Sequence, residues 1–381
     1  MPTVARMEQL ITASRNVVDE DLADLCTQLT SELSEIAGRR LLITGGAGFL
    51  GYYLVQAILH WNARERSAPI DLVIHDNFIR GVPAWLERVR GTPNLTIARR
   101  DAISPLPADA GPFDYLIHAA SIASPTYYRR HPLETLDANV LGLRVLLDYG
   151  RNLQAAGHPP RGILYFSSSE IYGDPPAHAI PTPETYPGQV SSTGPRACYD
   201  ESKRFGETLC VTYARQFGVP VTIVRPFNNF GPGLAPGDGR VIPDFARDAL
   251  AGQDIVLLSD GRATRTFCYV ADAVAGYYKL LVNGRRGEAY NVGSAGPEIT
   301  IGELADRIAA LARNLFAYGG SVRHGASEDR DYLTDNPQRR APVITKAWQD
   351  VGYAPRIGLD EGLMRSLLWY RFHPDAQWGT A

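Results

Sequence analysis

Leu41-Leu42-Ile43-Thr44-Gly45-Gly46-Ala47-Gly48-Phe49-Leu50-Gly51 carries a short apolar run into a glycine turn and out again into an apolar helical pattern that continues to Leu59. Strand, glycines and helix in that order are the context a dinucleotide-binding turn requires. Gly45 permits the tight turn, Gly48 lets backbone N–H groups approach a pyrophosphate at the helix N-terminus, and Gly51 lets the helix pack against the strand. Glycine-rich turns are common, so the flanking strand and helix carry the reading.

Outward from this turn, apolar runs near 40–44, 71–75, 95–99, 115–119, 163–167 and 221–225 alternate with helical stretches. Such alternation is how a parallel sheet covered on both faces reads. It predicts an α/β fold, a Rossmann doubly wound parallel sheet with a smaller C-terminal substrate-binding region. The chain has 381 residues, 45% of them hydrophobic, which is ample material for a core. Upstream, Leu22, Leu25, Leu29, Leu33 and Ile36 recur at spacings of three and four as one apolar helical stripe. This helix is expected to dock on its own domain, with a subunit contact as the alternative.

Composition removes several classes. The formal net charge is -3, and the arginine pairs at 99–100, 129–130, 285–286 and 339–340 are scattered, so no broad nucleic-acid surface is expected. Cys26, Cys198, Cys210 and Cys268 form no Cys-x-x-Cys pair, which speaks against a disulfide scaffold or a zinc site, and no metal is expected. No apolar run approaches the roughly 20 residues needed to cross a bilayer. The N-terminus, with Glu8, Asp19, Glu20 and Asp21, lacks the apolar core of a signal peptide. A soluble cytoplasmic protein without a membrane partner is expected.

Two further features sharpen the chemistry. Asp76 ends the second apolar run, where a carboxylate can accept hydrogen bonds from an adenosine ribose and repel a 2′-phosphate, so NAD is favoured over NADP. Arg80 is near enough to soften that repulsion. Asp101, after the third run, could contact adenine or serve as a loop residue. Tyr199 and Lys203 stand four apart, on one face if helical. The ammonium would then stabilise the phenolate and lower a pKa that is normally about 10, so that the tyrosine can take a proton from a sugar hydroxyl. His118 ends an apolar run and reads as a core histidine.

With the glycine turn, Asp76 and Tyr-x-x-x-Lys in this order, the chain resembles the extended short-chain dehydrogenase/reductase superfamily from about Arg40 to about His373, and within it the UDP-glucuronate decarboxylases, also called UDP-xylose synthases. The likeness is carried by His118-Ala-Ala-Ser121, Ser167-Ser-Ser-Glu-Ile-Tyr-Gly-Asp-Pro175, Gly194-Pro-Arg-Ala-Cys-Tyr-Asp-Glu-Ser-Lys-Arg204, Asp238-Gly-Arg-Val-Ile242, Thr264-Arg-Thr-Phe-Cys-Tyr-Val270 and Asp335-Asn-Pro-Gln-Arg-Arg340. It implies NAD as cofactor, held by Gly45, Gly48, Phe49, Leu50, Gly51, Asp76, Asn77 and Asp101 together with Tyr199 and Lys203. It also implies a UDP-sugar substrate and a homodimer. In 4,6-dehydratases of the superfamily an Asp-Glu pair removes water across C5 and C6. Here Ser169 replaces the aspartate while Glu170 remains, the combination of a decarboxylase. Simple 4-epimerases usually have a small or uncharged residue where Glu170 stands.

By the same resemblance, Tyr128 would contact the C6 carboxylate and Glu170 would act beside it. Arg265 would orient the sugar and assist loss or reprotonation, Ser168 would bond the 4-oxygen, Asn228 would position the substrate, and Arg240 would meet the diphosphate. Expected regions are an N-terminal extension over 1–38, the NAD-binding domain over 39–226, and a mainly sugar-nucleotide-binding region over 227–381 interleaved with part of 175–196. Departures from the decarboxylase pattern at Ile122, Gly233 and Val343 are expected to border the pocket. The alternatives are a 4-epimerase, a 4,6-dehydratase, a decarboxylase of another nucleotide uronate, or a protein that binds NAD without turnover.

Overall fold

A computed structural model describes residues 4–107, 110–327 and 334–373, and the ends of the expected outer regions, 1–3 and 374–381, lie outside the described residues. All six expected runs are strands: β1 Arg40–Thr44, β2 Asp71–Asp76, β3 Leu95–Arg99, β4 Tyr115–His118, β5 Gly162–Phe166 and β6 Val221–Pro226. A seventh, β7 Ala289–Val292, pairs with β6, so the chain returns to the sheet after leaving it at Pro226. The order is β7-β6-β5-β4-β1-β2-β3, and every pairing is parallel. Strand order reverses between β1 and β4, which opens a crevice at their carboxyl ends. The glycine turn sits there.

β1, β4 and β5 are buried nearly throughout, as expected of central strands covered by helices on both faces. The N-terminal stripe is helical but divided, into α1 Val4–Gln28 and α2 Thr30–Ile36, with Leu29 at the break. Leu22, Leu25, Leu29, Leu33 and Ile36 are all buried in the main core. Burying each stabilises by about 1.5–3 kcal/mol, so the extension belongs to the core. It packs on α3 Phe49–Arg64, on the helix Val270–Asn283 and, through α1, on the C-terminal helix Leu359–Phe372.

Asp21, which reads as part of an acidic N-terminus, is instead 1% exposed. Tyr53 donates to it at 2.5 Å and Tyr269 at 2.6 Å, and Arg365 completes the ring of partners. One carboxylate thus ties α1 to α3, to the segment around Tyr269 and to the C-terminal helix. His118 is the expected core histidine: its Nδ1 shares a hydrogen bond with Thr44 Oγ1 at 2.8 Å, and its Nε2 meets the Ala138 carbonyl at 3.2 Å. Burial, then Lys203, pushes its pKa down to about 3, so it stays neutral.

Candidate active site

The crevice is a cavity of about 1230 Å³. Single-ligand pockets run to roughly 300–1,000 Å³, so this one suits two ligands lying end to end. Every expected site residue lines it, from the glycine turn and Asp76, Asn77 and Asp101 to Tyr128, Ser168, Ser169, Glu170, Tyr199, Lys203, Asn228, Arg240 and Arg265.

At the turn, Gly45 has φ +76°, and a Cβ there would lie 2.5 Å from the Ala120 backbone. A Cβ on Gly51 would collide with the Gly46 carbonyl, whereas one on Gly48 would meet little but the Gly45 carbonyl at 3.3 Å. Tight turn, close packing and open backbone fall to the three glycines as their spacing suggests. Asp76 accepts from Ala47 N at 3.0 Å and Phe78 N at 2.8 Å, one bond per oxygen, which leaves each oxygen a lone pair for a ribose hydroxyl. Asn77 donates to Asp101 at 3.0 Å, so these two act as a pair. The residues present fit an NAD molecule.

Tyr199 and Lys203 lie on the helix Ala197–Phe217 and are both buried. The lysine Nζ donates to the Phe166 carbonyl at 2.7 Å and stands 5.7 Å from the tyrosine ring centroid. Here the expected electrostatics fail. Burial pushes the Tyr199 pKa up to about 12 against the Ser168 hydroxyl, and burial pushes Lys203 down to about 7. A lysine that is itself desolvated holds its charge too weakly to draw the phenol down. Tyr199 stacks on Tyr128 with centroids 5.1 Å apart and planes 11° apart, and Ile122 packs beside both. The Tyr128 hydroxyl is buried and has no hydrogen-bond partner among the described residues.

Ser168 caps the short turn Ser169–Tyr172 by accepting from the Glu170 N–H at 3.2 Å, and so presents the Glu170 side chain. Behind it, Ser167 donates to Glu207 at 2.6 Å, and Arg225 grips the same carboxylate. Glu170 does not stand alone in a loop. Arg196 and Arg340 both donate to it, Arg340 with a second bond at 2.8 Å. Burial alone would raise its pKa, but Arg196 and Arg340 outweigh that and hold it well below the usual carboxylate range.

Neither Arg196 nor Arg340 stands among the expected site residues. Arg196 precedes Tyr199 by three residues, a spacing that shares a helix face and could have revealed it. Arg340 had no local signal. A two-residue strand, Arg339–Arg340, runs parallel to Thr264–Arg265 and sets Arg340 against Arg265 in register. Arg265 in turn donates to the Thr264, Gln338 and Pro337 carbonyls and to Asn336. Burial, then Arg340, pushes its pKa down to about 10. Asp200 joins the cluster 3.6 Å from Arg196, and burial, with Glu170, pushes it up to about 7.

Asn228 has φ +42° and donates to the Thr266 carbonyl at 2.9 Å, so it combines the turn role with a place in the wall. Arg240 pairs with Asp238 at 3.3 Å and donates to the Ala123 carbonyl at 3.2 Å. Of the three departures, only Ile122 borders the cavity. Gly233 packs its backbone against the Tyr52 ring, and the Val343 N–H donates to Thr182 at 2.9 Å, both outside the lining.

Residues 41–293 match the family model described as NAD dependent epimerase/dehydratase family. UDP-glucuronic acid decarboxylase 5 of Arabidopsis thaliana is 36% identical over 324 residues, 85% of this chain and 87% of the relative. UDP-glucuronic acid decarboxylase 1 of Danio rerio is 34% identical over 371 residues, 96% of this chain and 82% of the relative. Among solved structures, DesIV of Streptomyces venezuelae, a dTDP-glucose 4,6-dehydratase with NAD bound, superposes with TM-score 0.73 at 27% identity, covering 87% of this chain and 97% of its own.

Proposed function

This chain belongs to the NAD dependent epimerase/dehydratase family, and we propose that its reaction there is the NAD-dependent decarboxylation of UDP-glucuronate to UDP-xylose. The similar curated proteins carry the name of that activity, whereas a superposing solved structure is a dehydratase, so the fold alone leaves the fate of the sugar open. The observation that supports the reading is the arginine wall. Arg196, Arg265 and Arg340 line one cavity with Glu170 and Tyr199, while Asp200 stands beside Arg196 outside the lining. A cationic surplus beside the sugar suits a C6 carboxylate and has no counterpart need in a neutral hexose.

NAD, when bound, supplies the hydride acceptor at C4 and returns the hydride to the 4-keto pentose. With the positive charge of the nicotinamide ring adding the cation that a phenol pushed up to about 12 lacks, Tyr199 would take the C4 hydroxyl proton, with Ser168 bonded to the same oxygen. Once C4 is a ketone, the carboxylate is β to a carbonyl, and loss of CO2 leaves an enolate whose oxygen Tyr199 and Ser168 steady. Arg265, which lines the same cavity and is made more acidic than a free guanidinium by burial and Arg340, would supply the proton that C5 needs. Glu170 stays ionised between its arginines and orients them, a change from the acid-base duty that its position suggests. Ser169, buried in place of the dehydratase aspartate, offers no acid to expel the C6 oxygen.

The expected homodimer is part of this proposal. The helix Ala197–Phe217 and the preceding helix region expose Phe205 at 50% and Leu141 at 51%, apolar surface that a second copy could cover. The regional division is likewise proposed: Rossmann layer, N-terminal helices, and a sugar side drawn from separate segments. No described helix is long and apolar enough to cross a membrane, and a cytoplasmic setting is our reading of the four unpaired cysteines.

Mass spectrometry of the product tests the assignment, with purified protein and NAD given UDP-glucuronate, UDP-glucose or UDP-galacturonate. Loss of CO2 from UDP-glucuronate without accumulation of free NADH is expected. Retained mass with inverted C4, or loss of water, would replace this reading with epimerase or dehydratase.

A further inference from the structure

Asp238 is a buried acid that the mechanism does not use. It is 3% exposed, in a loop whose glycines at 233, 237 and 239 all take positive φ. Its carboxylate holds Arg80 at 2.8 Å and Arg240 at 3.3 Å. Arg80 belongs to the other wall of the cavity. It follows Asp76 and Asn77, at the end of β2, and its guanidinium lies 4.2 Å over the Tyr127 ring. The knot has further strands: Ser124 donates to the Asp238 carbonyl at 2.6 Å, and a Cβ on Gly239 would lie 2.7 Å from Thr126.

Three segments that meet nowhere in sequence, 77–81, 123–127 and 238–240, are therefore joined across the cavity mouth beside the ribose-reading carboxylate. Arg80 is held by Asp238, a partner that the sequence did not suggest. We propose that the Arg80–Asp238 ion pair is a latch that retains the dinucleotide through the redox cycle. A ligand lying from the glycine turn towards Tyr199 passes between the joined walls, and its departure requires the pair to open. Retention matters because, on the reading above, the same cofactor molecule must return the hydride it accepted. The latch itself is independent of which sugar is bound.

The test measures dissociation directly. NADH bound to the purified protein is displaced by excess NAD, and its fluorescence decay gives the off-rate for wild type, Arg80→Met and Arg80→Lys. Opening a contact that closes over a bound ligand acts mainly on dissociation. Arg80→Met is expected to release NADH on the order of tenfold faster, with most of the wild-type rate restored in Arg80→Lys. In the same variant, incubation with UDP-glucuronate should leave free NADH detectable by absorbance, in proportion to the faster release. Asp238→Asn provides a second reading of the off-rate. An off-rate within twofold of wild type in both Arg80→Met and Asp238→Asn would overturn the latch. A selective loss of NADP affinity would overturn it too, by making Arg80 a phosphate reader. Faster release in a protein that does not decarboxylate UDP-glucuronate would keep the latch and remove the substrate assignment.

Discussion

At the cofactor end of the cavity, Gly45, Gly48, Gly51 and Asp76 come from one strand-turn-helix-strand stretch. At the sugar-acid end, Glu170, Arg196, Arg265 and Arg340 come from four segments, the outermost pair 170 residues apart. The first end is made of backbone: open N–H groups, a positive φ, and a carboxylate already holding two amides. The second is made of long side chains in a web of ion pairs. Backbone geometry is fixed by neighbours in sequence and survives change elsewhere, whereas the web depends on several long-range contacts being right together.

Tyr199 serves both ends, so its loss gives the largest effect. Tyr199→Phe is expected to lower kcat by about 10²- to 10⁴-fold, with NAD affinity nearly unchanged, measured by steady-state turnover and fluorescence titration. Near-normal turnover would mean that the proton leaves C4 by another route.

Breaking only the sugar-acid end comes next. Arg340→Ala is expected to slow CO2 release by about 10²-fold, since it removes one preorganised cation from a water-poor wall and leaves Glu170 underpaired. Reduced cofactor should then accumulate while decarboxylation lags. Arg340→Lys should recover little, because an ammonium cannot reproduce the two bonds to one carboxylate. If NADH formation and CO2 release fall in equal measure, the wall binds the substrate as a whole and the division between the two ends is wrong.

Breaking only the cofactor end has a smaller effect. Asp76→Ala is expected to weaken NAD about tenfold and narrow its advantage over NADP, while the product stays UDP-xylose. A change of product would show that the two ends are coupled through the cofactor's placement.

This contrast also explains what could be read in the sequence. The six strands, the glycine turn and Asp76 were legible because each depends on periodicity or on residues a few positions away. Tyr199 and Lys203 share one helix and were legible as a pair. Their pKa shifts were not, since burial of both groups is a property of the packed molecule, and it reversed the expected direction for the tyrosine. Arg340 was quoted only as part of a motif, because its role follows from the register of two short strands far apart in the chain. Asp21 looked like solvated charge among acidic neighbours; only the fold turns it towards Tyr53 and Tyr269.

Acid should loosen the two ends in sequence, and this gives the smallest effect. His118 anchors the end of β4 beside the glycine turn through Thr44 and the Ala138 carbonyl. Its folded pKa is depressed to about 3 from an ordinary 6.5 by burial, so below 6.5 the unfolded chain binds a proton that the folded chain refuses. Stability is then lost as pH falls between about 6.5 and 3, at about 1.4 kcal/mol per pH unit once well inside that window. Glu170 acts in the same sense but in a lower window. Arginine neighbours, outweighing burial, depress its pKa below the ordinary 4.5, so its contribution is present above 4.5 and is lost only as pH falls further. Between pH 6 and 5 the histidine titrates in the unfolded state while Glu170 stays ionised, and Asp200, raised to about 7 by burial and Glu170, holds a proton in the fold and pulls the other way. His118 contributes about 1 kcal/mol across that range, so urea unfolding should lose about 1 kcal/mol more between pH 6 and 5 in wild type than in His118→Asn, whose side chain carries no titrating group. An unchanged slope in the variant would show that His118 is not kept neutral by the fold and would place the acid sensitivity elsewhere.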